Sequence, residues 1–226
     1  MKCWAKNVST SCCNVQSAEH YVSKGLFSSD IVRVSGFEFL KGETKEIPIN
    51  NLVRNCLCET HNNALSTVDA EAIKLSEALQ YVVSLRKLRS QQKHQRWSVH
   101  RKQIDYVKVK RWFVKTILGM DVFIAKNHGL ALGVDFLAKL AFGEADINQH
   151  VSLEIGSQIG DDMVIDRVVS VLPIYSDNEC AGIVLDLYGF RIACKLGRFA
   201  DKSIKQKLKI KVYEKSNLSC LIELKS

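Results

Sequence analysis

The stretch that decides the fold is 57-LCETHNNALSTVDAEAIKLSEALQYVVSL-85, where a cysteine and a histidine lead directly into an amphipathic helix. Its apolar residues recur at alternating spacings of four and three and share one helix face: Val68, Ala72, Leu75, Leu79 and Val82. Ser66 suits the N-cap of this helix, and Asp69 follows three residues later in the capping-box position. The apolar stripe is typical of core packing, so we expect this face of the helix to be buried.

The cysteines cluster ahead of this helix, since five of the eight lie in the first 58 residues. Cys58 and His61 form a C-x2-H pair, and Cys3 with Cys12 can supply the other two ligands of a zinc site. Cys13 is an alternative to Cys12. Spacing alone does not separate this site from a set of reduced core cysteines. The remaining three cysteines are scattered, and we interpret them as small buried hydrophobes: Cys180, Cys194 and Cys220.

Beyond the helix, the hydrophobic pattern predicts an α+β protein. Strand-like pieces occur near 31–39 and 45–49, residues 131–142 favour a helix, and 104–118 fit either a strand or a helix. From residue 151 onward, short runs rich in Val, Ile and Leu predict a β-rich region. The chain shows no secretory signal and no apolar run near the ~18 residues of a membrane span, so we expect a cytoplasmic protein without disulfides or membrane association.

The net charge of +8 is distributed unevenly. Segment 86–115 carries eleven basic residues and one acidic residue, the tail 195–226 carries nine and three, and the remainder has a net charge of −8. Basic residues interleaved with Trp97, Tyr106 and Trp112 favour binding of a polyanion such as DNA. The alternative is a solvated helix face with ordinary strand lysines. The candidate phosphate contacts are Arg86, Lys87, Arg89, Lys93, Arg96, Arg101, Lys102, Lys108, Lys110 and Arg111.

Three short motifs follow one another in the first 70 residues: SAEH (17–20), INNL (49–52) and LCETHNNALSTVD (57–69). In this order they resemble the HNH (ββα-metal) endonuclease family, which places an acidic residue and a histidine near the end of a first strand, and Asn-Leu before the helix. The resemblance implies a ββα-metal module that is stabilised by a structural Zn²⁺. The implied zinc ligands are Cys3, Cys12, Cys58 and His61.

The same resemblance implies roles in phosphodiester hydrolysis. His20 would act as the general base towards water, because an imidazole titrates near neutral pH. Glu19 and Asn62 would hold a catalytic Mg²⁺ or Mn²⁺, since hard cations prefer oxygen ligands. Asn51 would orient His20. Neither a Gly-x-x-x-x-Gly-Lys phosphate loop nor a G-x-S-x-G element occurs, so these motifs indicate no P-loop ATPase and no serine hydrolase.

Two features depart from the common pattern of the family. The span from Asn51 to Asn62 is longer, so Asn55 or Asn50 is an alternative to Asn51. Glu19 also stands where an aspartate is more frequent before the histidine.

The sequence therefore predicts three parts: an HNH ββα-metal nuclease module over 1–70, a helical, basic, DNA-contacting region over 71–146, and a β-rich C-terminal domain over 147–226. The predicted activity is metal-dependent endonuclease cleavage of duplex DNA. A large remainder beside the module resembles effectors of bacterial phage-defence systems of the Zorya type, which implies protein partners from such a system. The alternatives are a non-catalytic zinc-containing protein that binds nucleic acid or a partner, and an RNase toxin.

Overall fold

The computed structural model describes residues 3–13, 15–27, 29–35, 40–91, 98–124, 129–157, 168–200, 209–211 and 218–225. Within these ranges the chain is a mixed α+β protein, as predicted, with four α-helices and twelve strands. The helices are α1 (Glu59–Ala64), α2 (Ser66–Gln91), α3 (Tyr106–Ile124) and α4 (Val134–Phe142). The strands are β1 (Gln16–His20), β2 (Ile31–Ser35), β3 (Lys45–Pro48), β4 (Val53–Cys58), β5 (Ser98–Asp105), β6 (Gly129–Leu130), β7 (Val151–Ser157), β8 (Val168–Ser176), β9 (Glu179–Leu187), β10 (Phe190–Leu196), β11 (Lys209–Lys211) and β12 (Leu218–Lys225).

The predicted amphipathic helix is present as α2 and is preceded by the short α1. Every residue of its predicted apolar stripe is buried, which confirms that this face packs into the core. Ser66 is the first residue of α2 and not its cap, and the backbone N–H of Asp69 donates to the Leu65 carbonyl between the two helices. The predicted capping box is not formed, because the Asp69 carboxylate accepts hydrogen bonds from Ser23 and Lys115 instead. A charged donor binds a carboxylate more strongly than a backbone N–H does.

The ambiguous stretch 104–118 contains both element types, because β5 ends at Asp105 and α3 begins at the next residue. Side chains stabilise this junction. Asp105 Oδ1 accepts the backbone N–H of Lys108 at 3.0 Å, and Glu71 Oε1 accepts that of Asp105 at 2.7 Å. The first of these bonds satisfies an N–H group that the opening turn of a helix leaves without an intrahelical partner.

A seven-stranded sheet contains most of the strands, in the order β3-β2-β8-β9-β10-β7 with β6 paired to β9. The pairs β8–β9, β9–β10 and β10–β7 are antiparallel, whereas β2 lies parallel to β8. The predicted β-rich C-terminal region thus shares its sheet with strands from 31–48. A second sheet pairs β1 with β4, and a third contains β11, β12 and β5.

One hydrophobic core joins residues from all three predicted parts of the chain. α3 contributes the fully buried Phe113 and Ile117 and contacts both α2 and α4. The first part contributes Leu57, and the last part contributes Ile192. Among the described residues, no helix combines the length and the apolar character that crossing a membrane requires.

Among the glycines in the described part of the chain, Gly182 leaves the least room for a side chain. Its φ is +154°, and a Cβ added there would lie 1.8 Å from the carbonyl oxygen of Cys194 on the neighbouring strand β10. We expect Gly182→Ala to lower the free energy of unfolding by about 3 kcal/mol, measured by urea denaturation. The control is Gly129→Ala, where nothing lies within 4 Å of the added carbon. It should change the stability by about 0.5 kcal/mol or less, and equal losses in both variants would contradict the close approach of β9 and β10.

Candidate metal centre and adjacent polar site

Three thiols and one imidazole meet where the N-terminal segment, β4 and α1 come together. Cys3 and Cys12 lie in the turn-rich segment 3–13, Cys58 is the last residue of β4, and His61 is in α1. Their candidate ligand atoms all lie within 4.8 Å of one another. The four residues predicted as zinc ligands are therefore brought together, with Cys12 rather than Cys13 in the group.

The orientation of His61 leaves one ring nitrogen available to a metal. Its Nε2 donates a hydrogen bond to the Thr10 carbonyl at 2.8 Å, so Nδ1 carries the free lone pair. Nδ1 lies 3.3 Å from Cys3 Sγ and 3.2 Å from Cys58 Sγ. The ring is fully buried and meets the edge of Phe142 at a centroid distance of 5.3 Å. A backbone carbonyl on the second nitrogen is the usual way in which proteins fix a metal-binding histidine.

The long gap between Cys3 and Cys12 is filled by a loop that is held against α4 and β4. The backbone N–H of Trp4 donates to the Cys56 carbonyl at 3.1 Å. The backbone N–H and the hydroxyl of Ser9 both donate to Glu144 Oε1 at 2.6 Å, and these bonds lower the pKa of Glu144. The loop therefore supplies two ligands with eight residues between them, without a short C-x2-C turn.

The donor set fits zinc. Three sulfurs and one imidazole nitrogen form the Cys₃His set of closed structural zinc sites. Burial, followed by the neighbouring Cys58 and Cys3 thiols, raises the pKa of Cys12 to about 12. Several thiolates so close together therefore require a cation, and a divalent metal supplies that charge.

A second polar group surrounds the end of β1. Glu19 is buried, and its Oε1 lies 2.5 Å from Lys115 Nζ. The same ammonium donates to both oxygens of Asp69 at 2.6 Å. Asn62 donates to Ser17 Oγ at 2.9 Å, and its amide also lowers the pKa of the neighbouring Glu19 carboxyl. Burial raises the pKa of Glu19, and the charge of Lys115 opposes this effect.

His20, the predicted general base, lies next to Glu19 at the end of β1. Its Nε2 is buried and has no hydrogen-bond partner among the described residues. Burial lowers the pKa of His20, and the positive charges of Lys24 and Lys115 lower it further, which favours the neutral imidazole. In the tautomer that carries its proton on Nδ1, the neutral ring is able to accept a proton at Nε2.

The three candidate asparagines for orienting His20 lie in the backbone that faces it. His20 pairs with Val53 in the β1–β4 ladder. Asn51 is exposed in the 3-10 turn Ile49–Asn51, and no hydrogen bond joins it to His20 within the described part of the chain. Asn50 Oδ1 accepts a bond from Lys24 Nζ at 3.3 Å, and Asn55 is exposed on β4.

Asp69 and Lys115 belong to this polar site, although neither was among the predicted site residues. Ser23 Oγ donates to Asp69 Oδ1, and Trp112 Nε1 donates to Ser23 Oγ at 2.8 Å. The sequence gives one indication that Lys115 is buried: it interrupts the apolar run WFVKTIL (112–118). A charge on the buried side of a helix requires a partner in the interior.

The predicted phosphate contacts fall into different environments. Lys110 is buried and donates to Asn148 Oδ1 at 3.0 Å, while the Arg111 guanidinium lies against Gly143 after α4. Lys108 lies 3.8 Å from the Asp105 carboxylate. Two are exposed on β5, namely Arg101 and Lys102. The side chains of Arg86, Lys87 and Arg89, and the whole of Lys93 and Arg96, lie outside the described residues.

Comparison with known proteins returns no match for this chain. No protein-family model, no curated protein and no solved structure is significantly similar to it. The resemblance to HNH endonucleases therefore stays a prediction from motifs.

We expect the purified chain to contain about one zinc ion per molecule, measured by elemental analysis. Cys58→Ser should lose the metal and lower the thermal midpoint of unfolding, because the site joins three segments of the chain. Cys13→Ser is the matched control, since Cys13 lies outside the ligand group, and it should retain the metal. Full zinc content in Cys58→Ser, or its loss in Cys13→Ser, would show that the ligand set is wrong.

Proposed function

We propose that the chain is a zinc-stabilised, metal-dependent endonuclease that hydrolyses DNA. The observation that carries this proposal is the arrangement of Glu19, His20 and Asn62. Glu19 is buried beside Asn62, whose amide lowers the pKa of the Glu19 carboxyl, and Nε2 of the adjacent His20 is buried without a hydrogen-bond partner among the described residues. They come from two motifs, and Asn62 lies more than forty positions after Glu19 and His20 in sequence.

The order of elements supports the ββα part of the proposal. β1 pairs antiparallel with β4, and α1 begins directly after β4. Cys58 and His61 belong to the metal group, and Asn62 follows His61. A metal at that centre would fix the start of α1 relative to β1, and with it the position of Asn62 relative to Glu19.

The residues present fit a hard divalent cation as well, because Glu19, Asp69 and Asn62 all offer oxygen ligands. Such a cation, when bound, polarises the phosphate and stabilises the charge on the leaving oxygen. In the proposed reaction His20 takes a proton from the attacking water. The water oxygen bonds to phosphorus, the ester P–O bond breaks, and solvent protonates the leaving oxygen.

A non-catalytic zinc-containing binding protein is the second candidate, and one observation favours it. The Lys115 ammonium lies between Glu19 and Asp69, so the carboxylates have a positive partner without any metal. A scaffold that binds nucleic acid or a protein needs no catalytic cation. The two candidates differ in one measurable property, which is hydrolysis that depends on His20.

Exposed positive charge supports a nucleic-acid substrate. Arg101 and Lys102 lie exposed on β5, and neither forms an ion pair with a described residue. With the net charge of +8, they can neutralise phosphates. A role in phage defence, with partners from such a system, is the biological setting that we propose for this activity.

We expect His20→Ala to lower Mg²⁺-dependent cleavage of plasmid DNA by about 100-fold or more, because removal of a general base costs at least this much. The control is His150→Ala, which removes a histidine that contacts Phe136 and should leave cleavage intact. Unchanged cleavage in a zinc-loaded His20→Ala would remove the nuclease proposal. RNA given to the same preparation separates DNase from RNase activity.

We expect the double variant Arg101→Ala/Lys102→Ala to bind duplex DNA more weakly and with a smaller dependence on salt. Each lost phosphate contact should reduce the slope of log K against log salt by about 0.9. The control Arg191→Ala/Lys195→Ala also removes two positive charges, but both are already paired, with Asp186 and Glu154. Fluorescence anisotropy across a salt series measures the difference, and an equal loss in both variants would indicate a general charge effect.

A further inference from the structure

The ammonium of Lys115 occupies the place between the two carboxylates of the polar site. It lies 2.5 Å from Glu19 Oε1 and 2.6 Å from both carboxylate oxygens of Asp69. Only 3% of its side chain is exposed, against 9% for Glu19 and 22% for Asp69. The ammonium therefore binds the carboxylate oxygens that a hard cation would use.

The partners of Lys115 are held in place from several sides. Asp69 accepts a hydrogen bond from Ser23, which in turn accepts one from Trp112 on the same helix as Lys115. Glu19 lies in the β1–β4 ladder, where it pairs with Arg54, and its side chain is buried. Because both carboxylates have contacts other than Lys115, withdrawal of the lysine side chain would leave them in place.

The net charge of the cluster attracts a second cation only weakly while the Lys115 ammonium is present. Two carboxylates and one ammonium leave a net charge of −1. A divalent ion at the carboxylates would lie within a few ångströms of the ammonium, where like charges repel strongly in a buried site. Without the ammonium the net charge would be −2, and the attraction for a divalent ion would be greater.

We infer that Lys115 is the resident cation of the Glu19–Asp69 pair, and that a divalent cation binds there only after the ammonium has moved away. Lys115 is then a positioning residue that keeps the carboxylates together and also sets the concentration of metal that the site needs. Asp69 becomes a further oxygen ligand beside Glu19 and Asn62. This inference rests on the cation site of the proposed function, but not on nuclease activity.

Competition of this kind predicts how the metal affinity should change. The apparent affinity equals the intrinsic affinity reduced by the fraction of molecules in which the lysine has withdrawn. Removing the charge should therefore tighten metal binding, whereas a merely structural lysine would leave it unchanged or weaken it. Lys110 provides a matched control because it is also buried on α3 but meets the neutral Asn148.

The test is Mn²⁺ binding to the zinc-loaded full chain, followed by electron paramagnetic resonance without nucleic acid. We expect Lys115→Met to bind Mn²⁺ about tenfold more tightly than the wild type or more. Lys115→Arg, which keeps the charge, and Lys110→Met should bind as the wild type does. Equal or weaker binding by a folded, zinc-loaded Lys115→Met would overturn the inference, as would the absence of Mn²⁺ binding in all four proteins.

A second measurement uses the wild type, in case Lys115→Met does not fold. Reductive methylation read by mass spectrometry reports which lysines are accessible. Lys115 should be protected in the zinc-loaded protein and should react faster once Mn²⁺ is added, while Lys110 stays protected. Unchanged protection of Lys115 in the Mn²⁺-bound protein would overturn the inference.

The two proposals fail separately. If Lys115→Met binds Mn²⁺ more tightly but no preparation cleaves nucleic acid, the inference about Lys115 is supported and the proposed nuclease function is wrong. If His20-dependent cleavage occurs while Mn²⁺ binding and the methylation of Lys115 show no competition, the proposed nuclease function is supported and the inference about Lys115 is wrong.

Discussion

The meeting of Cys3, Cys12, Cys58 and His61 is the constraint on which the N-terminal half of the molecule depends. It links a loop, the end of a strand and the start of a helix, none of which is long enough to be stable alone. Sulfur atoms this close together, in a buried place, are stable as thiolates only beside a cation. The energy that holds these segments together would therefore come from metal coordination, in addition to apolar burial.

The same centre determines what the polar site contains. Asn62 follows the ligand His61, and β1 pairs with the strand that ends at Cys58, so Glu19 and His20 are held at a fixed distance from α1. α3 completes the site with Lys115 and Trp112. A site built from several separately fixed elements can hold its groups in one geometry, which both metal binding and proton transfer require.

Two lysines on α3 show how surroundings decide the role of a charge. Lys110 is buried beside a neutral amide and above the ring of Tyr106, at 4.6 Å from its centroid. Lys115 is buried between two carboxylates. In sequence both belong to one basic segment, and their spacing of five residues does not show which one faces a charged partner. The surface available to a polyanion is consequently smaller than the composition of this segment indicates.

Sequence alone determined the α2 stripe, the strand-rich region after residue 151 and the Cys58–His61 pair of the metal group, because helical periodicity, alternation and C-x2-H spacing are local properties of the chain. Only the tertiary structure decided that Asp69 pairs with Lys115 instead of capping α2, that β2 joins the C-terminal sheet, and that Cys12 and not Cys13 joins the metal group. These outcomes depend on contacts between residues far apart in sequence. A buried charge takes whichever partner the packed elements bring within reach, and no local pattern records that choice.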